Sequence, residues 1–140
     1  MNEQILNKIN SGDINCDIMT FSTPELSKVI KKSNFAVTIQ HDVGIEINYG
    51  GLLSSSSDRR QTIALGQLLV DKTRAKNIIL SSGTRPEMTS KMPEDILAIS
   101  YLFGLEKNQG CNALFTMTQK VVKRSGKIID SFWFNLFTNM

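Results

Sequence analysis

Two short stretches of the 140-residue chain combine residue types suited to holding an anion. The first is Gly50-Gly51, the serines at 54–57 and the pair Arg59-Arg60; the second is Ser81-Ser82-Gly83 followed by Arg85. Glycine lets backbone N–H groups approach a phosphate, hydroxyls donate to it, and a guanidinium offers a fork of donors matched to phosphate oxygens. Arg59 and Arg60 also fall in the first turn of an expected helix. The helix dipole disfavours cations there by roughly a few tenths of a kcal/mol each, and a bound polyanion would offset that cost. A plainer reading has the serines ending a strand, Gly83 making a turn and the arginines pairing with Asp58 or Glu87.

Other chemistry has less to work with. His41 is the only histidine, so no two-histidine metal motif can be built and a Ser-His-Asp triad would have to use it. Glu46 alternates with Ile45 and Ile47, which places a carboxylate on the opposite face of a strand from them. On a barrel-like sheet that face points inward, and a buried carboxylate needs a partner, so an arginine or serine network is expected around it. A general base is the alternative role, but no second carboxylate stands at a motif spacing. Cys16 and Cys111 lack a CxxC spacing and read as reduced core thiols. No P-loop, GxGxxG or zinc spacing occurs, so no cofactor, no metal and no catalytic residue is expected.

The elements that must position these residues alternate along the chain. A short strand is expected over 16–21, then a helix opened by Thr23-Pro24-Glu25 and running to about Lys32. Val43, Ile45, Ile47 and Tyr49 give a strand of period two. Asp58 is expected to cap a helix to about Lys72, with Gln61 three positions on. Ile78-Ile79-Leu80 is the continuous apolar run of a strand buried on both faces. Pro93-Glu94-Asp95 opens a helix that Gly104 closes, 112–118 is expected as a further strand, and SFWFNLF near the end as a strand or buried helix. The stretch 34–42 is ambiguous between strand and helix end. Strands alternating with helices give βα units, a parallel sheet and an α/β fold, in which ligands gather at the carboxyl ends of strands.

Composition agrees with one folded domain over 1–140: hydrophobic residues are 41% and charged residues 21%. No run is long and apolar enough for a membrane span, and MNEQILNKIN has no apolar core behind a basic stretch, so an intracellular chain without a membrane partner is expected. The net charge of +3 is unevenly spread. Residues 59–127 hold twelve Lys/Arg against five acids, a balance of +7, and the remainder carries −4. That polarity favours an anionic partner for the second part of the chain.

Taken in order, VGIEINYGGLLSSSSDRRQTI, AKNIILSSGTRPEMTSKMPEDILAISYLFGL and CNALFTMT resemble the carboxyl-terminal part of the 30-kilodalton protein subunit of ribonuclease P and ribonuclease MRP, protein component 3 in archaea. The matching features are the strand with Glu46 and Tyr49, Arg59-Arg60 opening a helix, a strand ending in Ser81-Ser82-Gly83, the Pro93-x-Asp95 helix start and the LFGL turn, over roughly 14–120. The resemblance implies a TIM-barrel-like fold related to PHP-type phosphoesterases, here only partial. It also implies a non-catalytic RNA-binding subunit that pairs with a Pop5-type protein on ribonuclease P RNA, which removes the 5′ leader of precursor tRNA. The lone histidine agrees, because a PHP-type metal centre needs several. On this reading the RNA-binding residues are Arg59, Arg60, Ser82, Gly83, Arg85, Lys91, Lys120 and Lys123, and Glu46 is structural. SYLFGL is more like the eukaryotic branch, which implies the nucleus, nucleolus included; an archaeal chain would be cytoplasmic.

Three departures from the family pattern stand out. A further amino-terminal stretch of βα units is expected and not found, the helix after the LFGL turn is compressed to 106–110, and the aromatic tail with Trp133 has no counterpart. The resemblance also favours a helix over 34–42. So few strands would leave two sheet edges to be covered by the tail, a partner or self-association. Two alternatives remain open at this stage: a small α/β enzyme on a phosphorylated metabolite, with Glu46 as base and Ser82, Gly83 and Arg85 gripping phosphate, and a protein-only scaffold.

Overall fold

A computed structural model describes residues 7–9, 11, 16–21, 35–83 and 91–124. Three strands, β1 (Ile18–Thr20), β2 (Gly44–Asn48) and β3 (Ile78–Ser81), form a parallel sheet in the order β1-β2-β3. The register pairs Met19 with Ile45 and Ile45 with Ile78, then Ile47 with Leu80 and Asn48 with Ser81. The strands expected over 16–21, over 43–49 and at Ile78-Ile79-Leu80 are thus present, the first two with trimmed ends. Within the stretch 34–42, Ala36–Gln40 forms a helix, α1, which ends at His41 on the amino-terminal side of β2.

Alternation sorts the strand residues onto two faces. Met19, Val43, Ile45, Ile47, Tyr49, Ile78 and Leu80 point into the main core with Phe35, Leu69 and Phe103. That core is closed by α2 (Ser56–Thr73) and α3 (Pro93–Leu102). Gly66 lets them approach, because a Cβ there would lie 2.2 Å from the Phe103 ring. The opposite face carries Thr20, Gly44, Glu46, Ile79 and Ser81.

The segment expected as a strand over 112–118 is helical. A helix starts at α4 (Lys107–Cys111), passes through one π-helical turn at Asn112–Thr116 and continues as α5 (Met117–Arg124). Ala113, Phe115 and Met117 mimic a strand alternation, yet Phe115 is exposed while Ala113, Met117 and Val121 are buried at a spacing of four. A capping box between Glu106 and Gln109 starts the helix, and Gly110 lets it lie close to Ser100. Residues 106–110 are therefore the first turn of a longer helix rather than a compressed one. Ala113 joins the main core, whereas Met117 and Val121 cover Ile79 on the other face, so this helix passes from one face of the sheet to the other beside β3.

The cap of α2 also differs from expectation. Ser55 is the N-cap, and its Oγ accepts from the Asp58 N–H at 3.1 Å while Asp58 Oδ2 accepts from Ser55 Oγ at 2.8 Å. Asp58 is the third helical residue, so Ser56 and Ser57 belong to the helix and Gln61 has no capping role. Gly50-Gly51 lie in a 3-10 turn (Tyr49–Leu53). The expected helix after Thr23, residue Arg85 and the aromatic tail lie outside the described residues.

Candidate nucleic-acid interface

Polar side chains converge where the strands end. Parallel register sets Thr20 beside Glu46, and the next turn of alternation brings Ser81 to the same face. The Glu46 carboxylate accepts from the Thr20 hydroxyl at one oxygen and from Ser81 Oγ at 2.5 Å at the other. Both oxygens of this half-buried group are thereby hydrogen-bonded, as a carboxylate removed from bulk water requires. Two residues on, Asn48 Oδ1 accepts from the Gly50 N–H at 2.8 Å and caps the 3-10 turn.

Gly83 sits directly over that carboxamide. Its φ is +57°, and a Cβ would fall 1.6 Å from Asn48 Nδ2, so both backbone conformation and space demand glycine. Gly51 is held similarly close to α2, where a Cβ would meet Thr62 Oγ1 at 2.2 Å. Tyr49 is buried, which pushes its phenol above the usual tyrosine range, and the Ser82 hydroxyl donates to it and partly reverses that shift.

The arginine pair stands on the first turns of α2, which leaves the same end of the sheet. Asp58 is engaged by the Ser54 and Ser55 hydroxyls at 2.7 and 2.8 Å, and these bonds hold its carboxyl below the usual aspartate range. It makes no ion pair with the arginines. Arg59 Nη2 donates to Ser56 Oγ at 3.3 Å, and both guanidiniums are exposed without a carboxylate partner among the described residues. Lys91 is exposed just ahead of α3. Arg59, Arg60, Ser82, Gly83 and Lys91 therefore belong to the strand-end side of the molecule.

Lys120 and Lys123 do not. Both are on α5, and Lys120 Nζ pairs with Asp42 Oδ1 at 2.5 Å, just before β2 begins. Arg124 is anchored at that amino-terminal end by Asp17 Oδ1 at 2.8 Å and by the carbonyls of Cys16 and His41. Burial raises the Cys16 thiol above its usual range, with Arg124 pulling it down and Asp17 pushing it up. Arg124 and Asn77, whose Nδ2 donates to the Ile39 and Val43 carbonyls at 3.1 and 3.3 Å, were invisible in the sequence because their partners are distant in the chain. Among the described residues no group of three or more His, Cys, Asp or Glu is placed to hold a metal ion, and no helix is long and apolar enough to cross a membrane.

These features define a parallel α/β protein whose strand ends carry hydroxyl side chains, a close-approach glycine and arginines without a carboxylate partner among the described residues. The family model for RNase P subunit p30 matches residues 1–128, and the chain belongs to that family. It is 37% identical over 101 residues to ribonuclease P protein subunit drpp30 of Dictyostelium discoideum, covering 71% of this chain and 26% of that protein. Protein GAMETOPHYTE DEFECTIVE 1 of Arabidopsis thaliana is 33% identical over 99 residues, covering 68% of this chain and 17% of its own length. Ribonuclease P protein subunit p30 of Mus musculus is 31% identical over 99 residues, covering 71% and 37%. The chain thus spans less than half the length of these curated relatives.

Proposed function

We propose that this chain is a non-catalytic, RNA-binding part of a ribonuclease P assembly that supports removal of the 5′ leader from precursor tRNA. Its partners in this reading are ribonuclease P RNA, precursor tRNA and a Pop5-type subunit, and its place in the cell is the nucleus, including the nucleolus. The sheet would then be a segment of a TIM-barrel-like structure. The observation that carries the reading is the exposed Arg59-Arg60 pair at the same end of the sheet as Ser82 and Gly83: Asp58 is engaged by serines, and among the described residues neither guanidinium has a carboxylate partner, which leaves donors for phosphate. Arg85, two residues after Gly83 and outside the described residues, is included in the proposal from the sequence alone. The non-catalytic role is supported by Glu46, whose two oxygens are both taken by neutral hydroxyls of the protein itself. Capture of the tagged chain from native extract, followed by sequencing of the associated RNA, tests the proposal. It predicts enrichment of a single structured ribonuclease P RNA, and recovery without any specific RNA would overturn it.

A further inference from the structure

Among the described residues, the end of the sheet away from the strand-end rim is also basic, with more cations than acids. Asp17, Asp42 and Asp71 are ion-paired there, with Arg124, Lys120 and Lys72 respectively. Arg74, Lys76 and Lys123 remain exposed and reach no carboxylate among the described residues. Lys123 suits the last turn of α5, where the dipole attracts cations, and needs no further reason. Arg74 and Lys76 do.

Arg74 occupies the left-handed position that ends α2, with φ 55°, where glycine would be least strained. Ala75 and Asn77 also have positive φ, 58° and 56°. The loop is nevertheless fixed: Ala75 N donates to the Val70 carbonyl at 3.0 Å, Lys76 N to Thr73 at 3.2 Å, and Asn77 ties it to the turn before β2. The two cations are therefore displayed on backbone whose ordering cost is met by folding, which suits recognition of a rigid polyanion.

We propose that Arg74, Lys76 and Lys123 form a second phosphate-contacting surface, so that one copy of this chain bridges two RNA segments. The inference rests on the reading that the partner at the strand-end rim is RNA. The two surfaces are separated by the length of β2, five residues or about 16 Å, roughly twice the Debye length of about 8 Å at physiological salt, so each engages its own segment independently.

The test uses the 140-residue chain with two short RNA hairpins, one carrying a donor and the other an acceptor fluorophore. Energy transfer reports bridging, and sedimentation gives the stoichiometry per protomer. The expected result is two hairpins on one protomer with transfer. In a variant combining Arg74→Glu, Lys76→Glu and Lys123→Glu, transfer should vanish while one hairpin stays bound. Arg59→Glu with Arg60→Glu should likewise leave one hairpin and no transfer. Saturation of the unaltered chain at one hairpin per protomer overturns the bridge and leaves the RNA-binding reading standing, as does transfer that survives the triple change. Absence of any RNA binding overturns both. The unaltered chain decides by stoichiometry even where the triple variant fails a circular-dichroism check of folding.

Discussion

Glu46 shows how one carboxylate is stabilised without an ion pair. Its oxygens accept from Thr20 and Ser81, and Glu46→Gln would turn one acceptor into a donor that faces a hydroxyl. The loss of a charge-assisted bond predicts a destabilisation of about 1 to 3 kcal/mol, read from denaturant unfolding, with RNA affinity of the folded protein unchanged. Gly83→Ala should be at least as severe locally, because left-handed φ and the Asn48 carboxamide both exclude a Cβ; the check is a lowered melting temperature together with weakened RNA binding. Tyr49 adds a pH dependence. Its phenol is raised by burial, so the native state favours the neutral form; the stability this represents is complete below about pH 10, the unfolded value, and is lost as pH rises through the higher native one. Tyr49→Phe should flatten that alkaline loss. The position of Glu46 opposite two isoleucines was legible from alternation alone. Its partners were not, because parallel register between strands separated by more than twenty residues leaves no local signature.

At the scale of elements, the start of α2 depends on the Ser55–Asp58 capping box. Ser55→Ala should cost about 1 kcal/mol and fray the turn that carries Arg59 and Arg60, measurable as faster amide exchange at the helix start. Asp58 is lowered by its serine bonds, so its contribution is present above the ordinary aspartate value near pH 4 and fades as pH falls through the lower native value. The α2–β3 loop predicts the opposite sign of change: Ala75→Gly relieves a left-handed alanine and should raise stability by a few tenths to about 1 kcal/mol, since the strain removed outweighs the added unfolded-state freedom. Strands β2 and β3 could be read from apolar pattern because their core faces are long and regular. The helix across 112–118 could not, since Ala113, Phe115 and Met117 satisfy period two while the capping box at Glu106 and the contact at Gly110 decide for a helix.

For the whole molecule, the sequence already held the charge asymmetry, with a +7 balance over 59–127, but not its division between two ends of a sheet. Lys120 and Lys123, placed by sequence with the arginines, lie on α5 near the strand starts. Separating those ends needed the path of the helix around β3, a tertiary fact that no local spacing encodes. RNA binding at the strand-end rim, as proposed, would be governed by electrostatics, since each neutralised phosphate releases counterions. The most direct measurement is therefore the affinity of the chain for a structured RNA across a salt series, for the unaltered protein and for Arg59→Ala, Arg60→Ala and Arg85→Ala. Log K should fall steeply with log salt, and each substitution should make that slope shallower by about 0.7 to 0.9 and weaken binding whatever the RNA sequence. Slopes unchanged in all three variants would contradict phosphate contact at the strand ends, and with it the proposed role of this surface.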